Sequence, residues 1–176
     1  MLRKIINFSL LIIAVLYSNM SCKQIPHEIE TKFTVDIPAQ QIIIKSDGYI
    51  FSGSAIFDPN LNIDTKDWNI TNLSFGEIRL IVKDANILDW LIAAQIQIII
   101  TDNTTNESIA QLIPGYHSLY PSNSILLNTN DADHEFLRTL IIQKHTATFE
   151  ISGLANQSNT DLVFTYSMQA FASIVR

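Results

Sequence analysis

The octapeptide FDPNLNID sets Asp58, Asn60, Asn62 and Asp64 two residues apart, oxygen donors in the order of a calcium loop. Such a loop needs glycine at its sixth position for a sharp turn and a bidentate glutamate at its twelfth. Those positions are Ile63 and Asn69 here, so a polar inter-strand loop is expected in place of a metal site. A second donor-rich run, NTNDADHE (Asn128 to Glu135), includes His134. It has no defined ligand spacing, and the same residue types cap a helix and set acids at its positive dipole end. His27, His117, His134 and His145 lie in separate segments, with no i, i+4 pair of the zinc-helix kind. There is no G-x-S-x-G, P-loop or G-x-G-x-x-G motif. No catalytic residue and no cofactor is therefore expected, and the chain is not read as an enzyme.

What remains is a surface. IPGYHSLYPSNS is bounded by proline and glycine and holds Tyr116, His117 and Tyr120. Aromatic residues with polar tips, on a loop between rigid elements, suit recognition. Trp68 and Trp90 are candidates for the same groove. The competing expectation is that the tyrosines lid the core under a long loop.

The only cysteine poses a different chemistry. Arg3 and Lys4 precede an uncharged, mostly aliphatic run, Ile5 to Tyr17, and small and polar residues lead to Cys22. This three-part order is that of a secretory signal peptide, and a run of thirteen residues, interrupted by Asn7 and Ser9, falls short of the roughly 20 that a membrane-spanning helix needs. NMSC, Asn19 to Cys22, resembles the lipobox of bacterial lipoproteins, with Ser21 at the small-residue position and Asn19 and Met20 departing from the usual pattern. The resemblance implies a lipid on the Cys22 thiol and cleavage before it. A lone cysteine has no partner for a structural bridge. The alternative is an ordinary cleaved signal with an incidental cysteine. Lys23 stands where a retention signal for the inner membrane has Asp, which by the same resemblance implies the outer membrane of a Gram-negative bacterium.

Residues 1–21 are thus read as the signal peptide, 22–30 as the lipidated cysteine and a spacer, and 31–176 as one domain. Without the first segment, which holds two of the 11 basic residues and none of the 17 acidic ones, the chain has 9 against 17, a net charge of −8. Such a surface disfavours phosphate backbones, so nucleic acid is excluded as a partner. With 47% hydrophobic residues the domain can bury a core.

Its periodicity is two, the mark of strands with one buried and one wet face. Phe33, Val35 and Ile37 share a face, as do Tyr49, Phe51, Ala55 and Phe57, and His145, Ala147, Phe149 and Ile151. Leu162, Phe164, Tyr166, Met168, Ala170, Ala172 and Ile174 form the longest alternation. In NLSFGEIRLIVK the phase flips at Gly76, which predicts a bulge. Ile96, Ile98 and Ile100, the polar DNTTNE and the return from Ile109 to Ile113 predict a hairpin. Helices are predicted over Asn86–Ala94, from Leu88, Leu91 and Ile92, and after Asn130, from the stripe Phe136, Leu137, Leu140 and Ile141. The fold class is mainly β: an antiparallel, immunoglobulin-like sandwich without the usual cysteine pair and with one or two short helices.

In pattern, the lipobox, the Ile- and Asn-rich strands and the late stretch NDADHEFLRTLIIQKHTATFEISG resemble small envelope lipoproteins of Bacteroidetes. The resemblance implies a lipid-anchored module that binds a protein or glycan through its loops, and carries no catalytic residue across. A structural or assembly accessory of an outer-membrane complex is the second reading. An envelope hydrolase or calcium-dependent binder is the third.

Overall fold

The computed structural model describes residues 28–38, 42–44, 49–62, 69–85, 92–158 and 161–175. Among the described residues nine strands are ordered β1 (Glu28–Pro38), β2 (Ile42–Ile44), β3 (Ile50–Phe57), β4 (Asn69–Ala85), β5 (Ile92–Asp102), β6 (Ser108–Ser118), β7 (Ser124–Leu126), β8 (Ala147–Ala155) and β9 (Asp161–Val175). A single helical turn, α1 (Pro59–Asn62), follows β3, and the longer helix α2 (Asp131–Ile142) lies between β7 and β8. All pairings are antiparallel. One layer runs β6-β5-β8-β3. The other runs β7-β4-β9, with β1 on the far side of β9. Short β2 pairs with both β3 and β9 and joins the layers. The molecule is the β-sandwich that the alternation predicts.

β9 carries the core. Every second residue from Leu162 to Ile174 is buried, because β4 covers one edge of this strand while β1 and β2 share the other. Across the layers, Phe51 meets Phe164 at 6.0 Å between ring centroids and Phe149 meets Tyr166 at 5.1 Å. Gly153 lets the Phe51 ring lie flat on β8: a Cβ there would stand 2.5 Å from Phe51 Cζ. The phase flip at Gly76 is a bulge. The β4–β9 register skips between Phe75 and Ile78, and a Cβ on Gly76 would meet Gln169 Oε1 and the Phe171 ring at 3.1 Å. A second irregularity, at Gln95 with φ 52°, turns both Ala93 and Ile96 inward.

Helix α2 forms where the capping signals lie. Asn130 Oδ1 accepts from Asp133 N, and Asp133 Oδ2 accepts from Asn130 N, a reciprocal capping box. Leu137, Leu140 and Ile141 are buried, with Phe136 packed beside them. Arg138 Nε donates to Leu73 O at 2.8 Å and fixes the helix to β4.

Two sequence expectations change. The helix over Asn86–Ala94 is not present in its last three residues: Ile92–Ala94 open strand β5, where pairing with both β6 and β8 overrides local helical spacing. Residues 86–91 and Trp90 lie outside the described residues. The domain also begins before Thr31, since β1 starts at Glu28 and pairs with Val175. Of the face containing Phe33, Val35 and Ile37, the side chain described is that of Ile37, which is buried. The signal segment, Cys22 and His27 lie outside the described residues.

The antiparallel register sorts the loops into two ends. At the helix end stand the start of β1, the end of β9, the β5–β6 turn, the start of β8 and α2. At the opposite end stand the start of β3, the end of β6, the end of β8 and the start of β9.

Candidate functional site

The end of β6 and the segment after it hold two tyrosines outward; Tyr116 and His117, expected on a loop, are paired in the strand with Ala94 and Ala93 of β5. Gly115 has φ +92°, a region that L side chains rarely adopt, and it follows Pro114. Tyr116 is 84% exposed, and His117 Nε2 contacts Pro114 O at 3.0 Å. Leu119, 1% exposed, sinks into the core as an anchor, and Tyr120 returns to solvent at 55%. Tyr120 O then accepts from Asn123 N at 3.0 Å, closing a turn with Pro121 second and a positive φ of 71° at Ser122 third, the arrangement of type II. Two backbone bonds brace this turn against β4: Ser122 N to Val82 O at 2.8 Å, and Val82 N to Asn123 O at 2.9 Å. The Asn123 amide also donates to Ser118 O. The expectation that the tyrosines lid the core does not hold for Tyr116 and Tyr120. The lid is Leu119. Trp68 is outside the described residues.

At the helix end, chemistry-bearing side chains are instead turned on one another. Asp102 is buried, and its Oδ2 accepts from His145 Nδ1 at 2.8 Å. Its Oδ1 accepts from Thr104 N at 2.7 Å and Thr105 N at 3.2 Å. Burial raises the Asp102 pKa, but the bonds from His145, Thr104 and Thr105 outweigh it and hold the carboxyl below its usual range. An ionised carboxylate only accepts, so His145 Nδ1 carries the proton. Such a pair orients a histidine for proton transfer, yet among the described residues no hydroxyl or thiol is hydrogen-bonded to Nε2. The pair instead ties the β5–β6 turn to the start of β8, where Asn103 N also donates to Thr146 O. Alternation puts His145 on the face of Ala147 and Phe149 and gives no sign of this partnership, since Asp102 and His145 are 43 residues apart.

The donor-rich runs resolve in the same way. Asn130 and Asp133 form the cap already described, while His134 Nε2 bonds Thr129 Oγ1 at 2.8 Å and its ring lies 5.7 Å from that of Phe75. In FDPNLNID, Asp58 Oδ1 accepts from Asn60 N and Nδ2 at 2.9 and 3.0 Å, a local turn that opens α1. Asp64 lies outside the described residues, as does the side chain of Asn62. Among the described residues no three His, Cys, Asp or Glu side chains gather as a metal requires.

An open cleft of about 520 Å3 separates the β5–β6 turn from α2, with Ile109 and Phe136 among its lining residues together with Glu107 and Glu135. Glu135 pairs with Arg138. Inside the sandwich, Tyr166 Oη donates to Gln111 Oε1 at 3.1 Å, and burial raises the Tyr166 pKa far above its normal value. The Gln111 amide nitrogen is buried without a hydrogen-bond partner among the described residues.

Comparison with protein-family models and with curated proteins finds no match. Among solved structures, one of Desmodium yellow mottle tymovirus is similar over 83% of this chain and 90% of its own, at 9% identity and a TM-score of 0.33. At that score the likeness carries no argument about this chain. No helix among the described residues is long and apolar enough to cross a membrane.

Proposed function

We propose that this chain is a lipid-anchored envelope protein, tethered through Cys22 to the outer membrane of a Gram-negative bacterium. Its braced tyrosine segment binds a protein or glycan partner without catalysis. The observation that supports the reading is the outward pose of Tyr116, at the end of β6, and of Tyr120, on a turn strapped to β4, at the end opposite the start of β1. Five residues separate Cys22 from Glu28, a reach of roughly 20 Å when extended. An anchor at Cys22 therefore keeps the helix end close to the membrane and presents the tyrosines away from it.

The test is incorporation of radiolabelled palmitate by wild type and Cys22→Ser, with membrane fractionation. Labelled wild type in the membrane fraction and unlabelled Cys22→Ser is the expected result. Unlabelled wild type in the soluble fraction overturns the anchor. For the surface, retention of a partner from solubilised membranes is compared between wild type and Tyr116→Ser/Tyr120→Ser. Equal retention overturns the role of the tyrosines.

A further inference from the structure

The outer face of the β6-β5-β8-β3 layer carries a row of side chains that its inner face does not need. In register, Tyr116 stands opposite Ala94, Ala94 opposite Leu154, and Leu154 opposite Ile50. Cross-strand partners point to one side of a sheet. Their chain neighbours Ala93, Ala155 and Phe51 are buried, so the four lie together on the outside. Ile50 is 59% exposed and Leu154 38%. Tyr49 beside the row is exposed as well. Exposed apolar surface of this continuity marks a contact on an otherwise soluble fold.

Charge says what the contact takes. Over β3, β5, β6 and β8 the acidic or basic residues are Asp102, buried at the helix end, His117 beside Tyr116, and Glu150, exposed on the outer face four residues along β8 from Leu154. The chain as a whole carries −6, so two copies repel over most of their surfaces and can approach at the uncharged row with less of that penalty. We infer that this row is the contact between two copies of the chain, which names the protein partner of the proposed surface. The inference rests on Tyr116 as a binding residue and not on the lipid anchor.

The order of sizes along the row fits a twofold contact. A twofold axis parallel to the strands reverses the row, so Tyr116 faces Ile50 of the other copy and Ala94 faces its Leu154. Large side chains thus meet smaller ones at each position, and the patch is its own complement. The same axis leaves both helix ends on one side, where two tethers can enter one membrane. Co-anchoring then raises the effective concentration of a contact that is small for a specific interface.

The test uses the full chain carrying Cys22→Ser in detergent, by analytical ultracentrifugation over on the order of 1–100 µM. The expected result is a rise from one to two chains with concentration, and a loss of at least tenfold in association for Tyr116→Asp/Leu154→Asp. A single-chain species throughout, or undiminished association in that variant, overturns the inference. A second arm does not depend on the folding of the double variant. Tyr116→Cys and Ile50→Cys, each in the Cys22→Ser chain, are mixed under mild oxidation. A disulfide-linked dimer is expected from this mixture and not from Tyr116→Cys with Ile56→Cys, whose site lies at the helix end of the same face. Equal linkage in both mixtures also overturns it. Palmitate labelling is unaffected by either result, so failure of the contact and failure of the anchor are told apart.

Discussion

The two ends of the sandwich treat polar and apolar groups in opposite ways. At the helix end, Asp102, His145, Asn130, Asp133 and Thr129 bond to neighbouring side chains or backbone, and Leu137, Leu140 and Ile141 of α2 are inside. At the tyrosine end, side-chain amides and backbone groups brace a turn while the aromatic rings stand in water. Asp102, Asp133, His134 and His145 at the first end are therefore part of the fold, and exposed rings at the second are surplus to it. On the proposed reading, the polar cluster serves the fold and the exposed apolar patch serves binding.

Substitutions can break or sharpen that contrast. Leu119→Ala empties the one buried position of the tyrosine segment and should cost about 3 kcal/mol in denaturant unfolding. A loss below about 1 kcal/mol would mean that the segment is not pinned by its anchor. Asp102→Asn should cost about 2 kcal/mol at neutral pH, since it removes a charge-assisted acceptor from a buried site. The sign with pH is fixed by the lowered pKa. The contribution is full above the unfolded carboxyl pKa of about 3.9 and disappears as pH falls through the lower folded value. Stabilities of wild type and Asp102→Asn should thus converge in acid, and a constant gap down to about pH 2 would contradict the assigned cause. Asn130→Ala removes one half of the capping box and should cost about 1 kcal/mol by thermal unfolding. Tyr116→Ser should change stability by less than about 0.5 kcal/mol. A larger loss would turn the exposed ring into a structural element and remove the contrast.

Legibility in the sequence followed the range of the interactions. The alternation of β9, the bulge at Gly76 and the capped helix after Asn130 depend on neighbours in the chain or on one sheet face, and all were readable. The start of β5 was not, because Ile92–Ala94 have helical spacing locally while two partner strands hold them extended. The Asp102–His145 and Gln111–Tyr166 bonds join residues 43 and 55 apart and needed the topology. The row from Tyr116 to Ile50 needed it most, since its four members come from four strands whose order alternation does not reveal. Their residue types mark Tyr116 and Tyr120 as candidates, but the way they face follows from the β5–β6 register for Tyr116 and from the burial of Leu119 for Tyr120.

The pairing of β1 with β9 has a mechanical consequence. β1 enters at Glu28 and runs 11 residues in unbroken register, from Val175 to Thr165 on its partner. A pull on the chain at Glu28, resisted at the tyrosine end, acts along the strand. Its rungs must then slide together and cannot peel one by one, so the seam between the first and last strands is loaded in its strong direction.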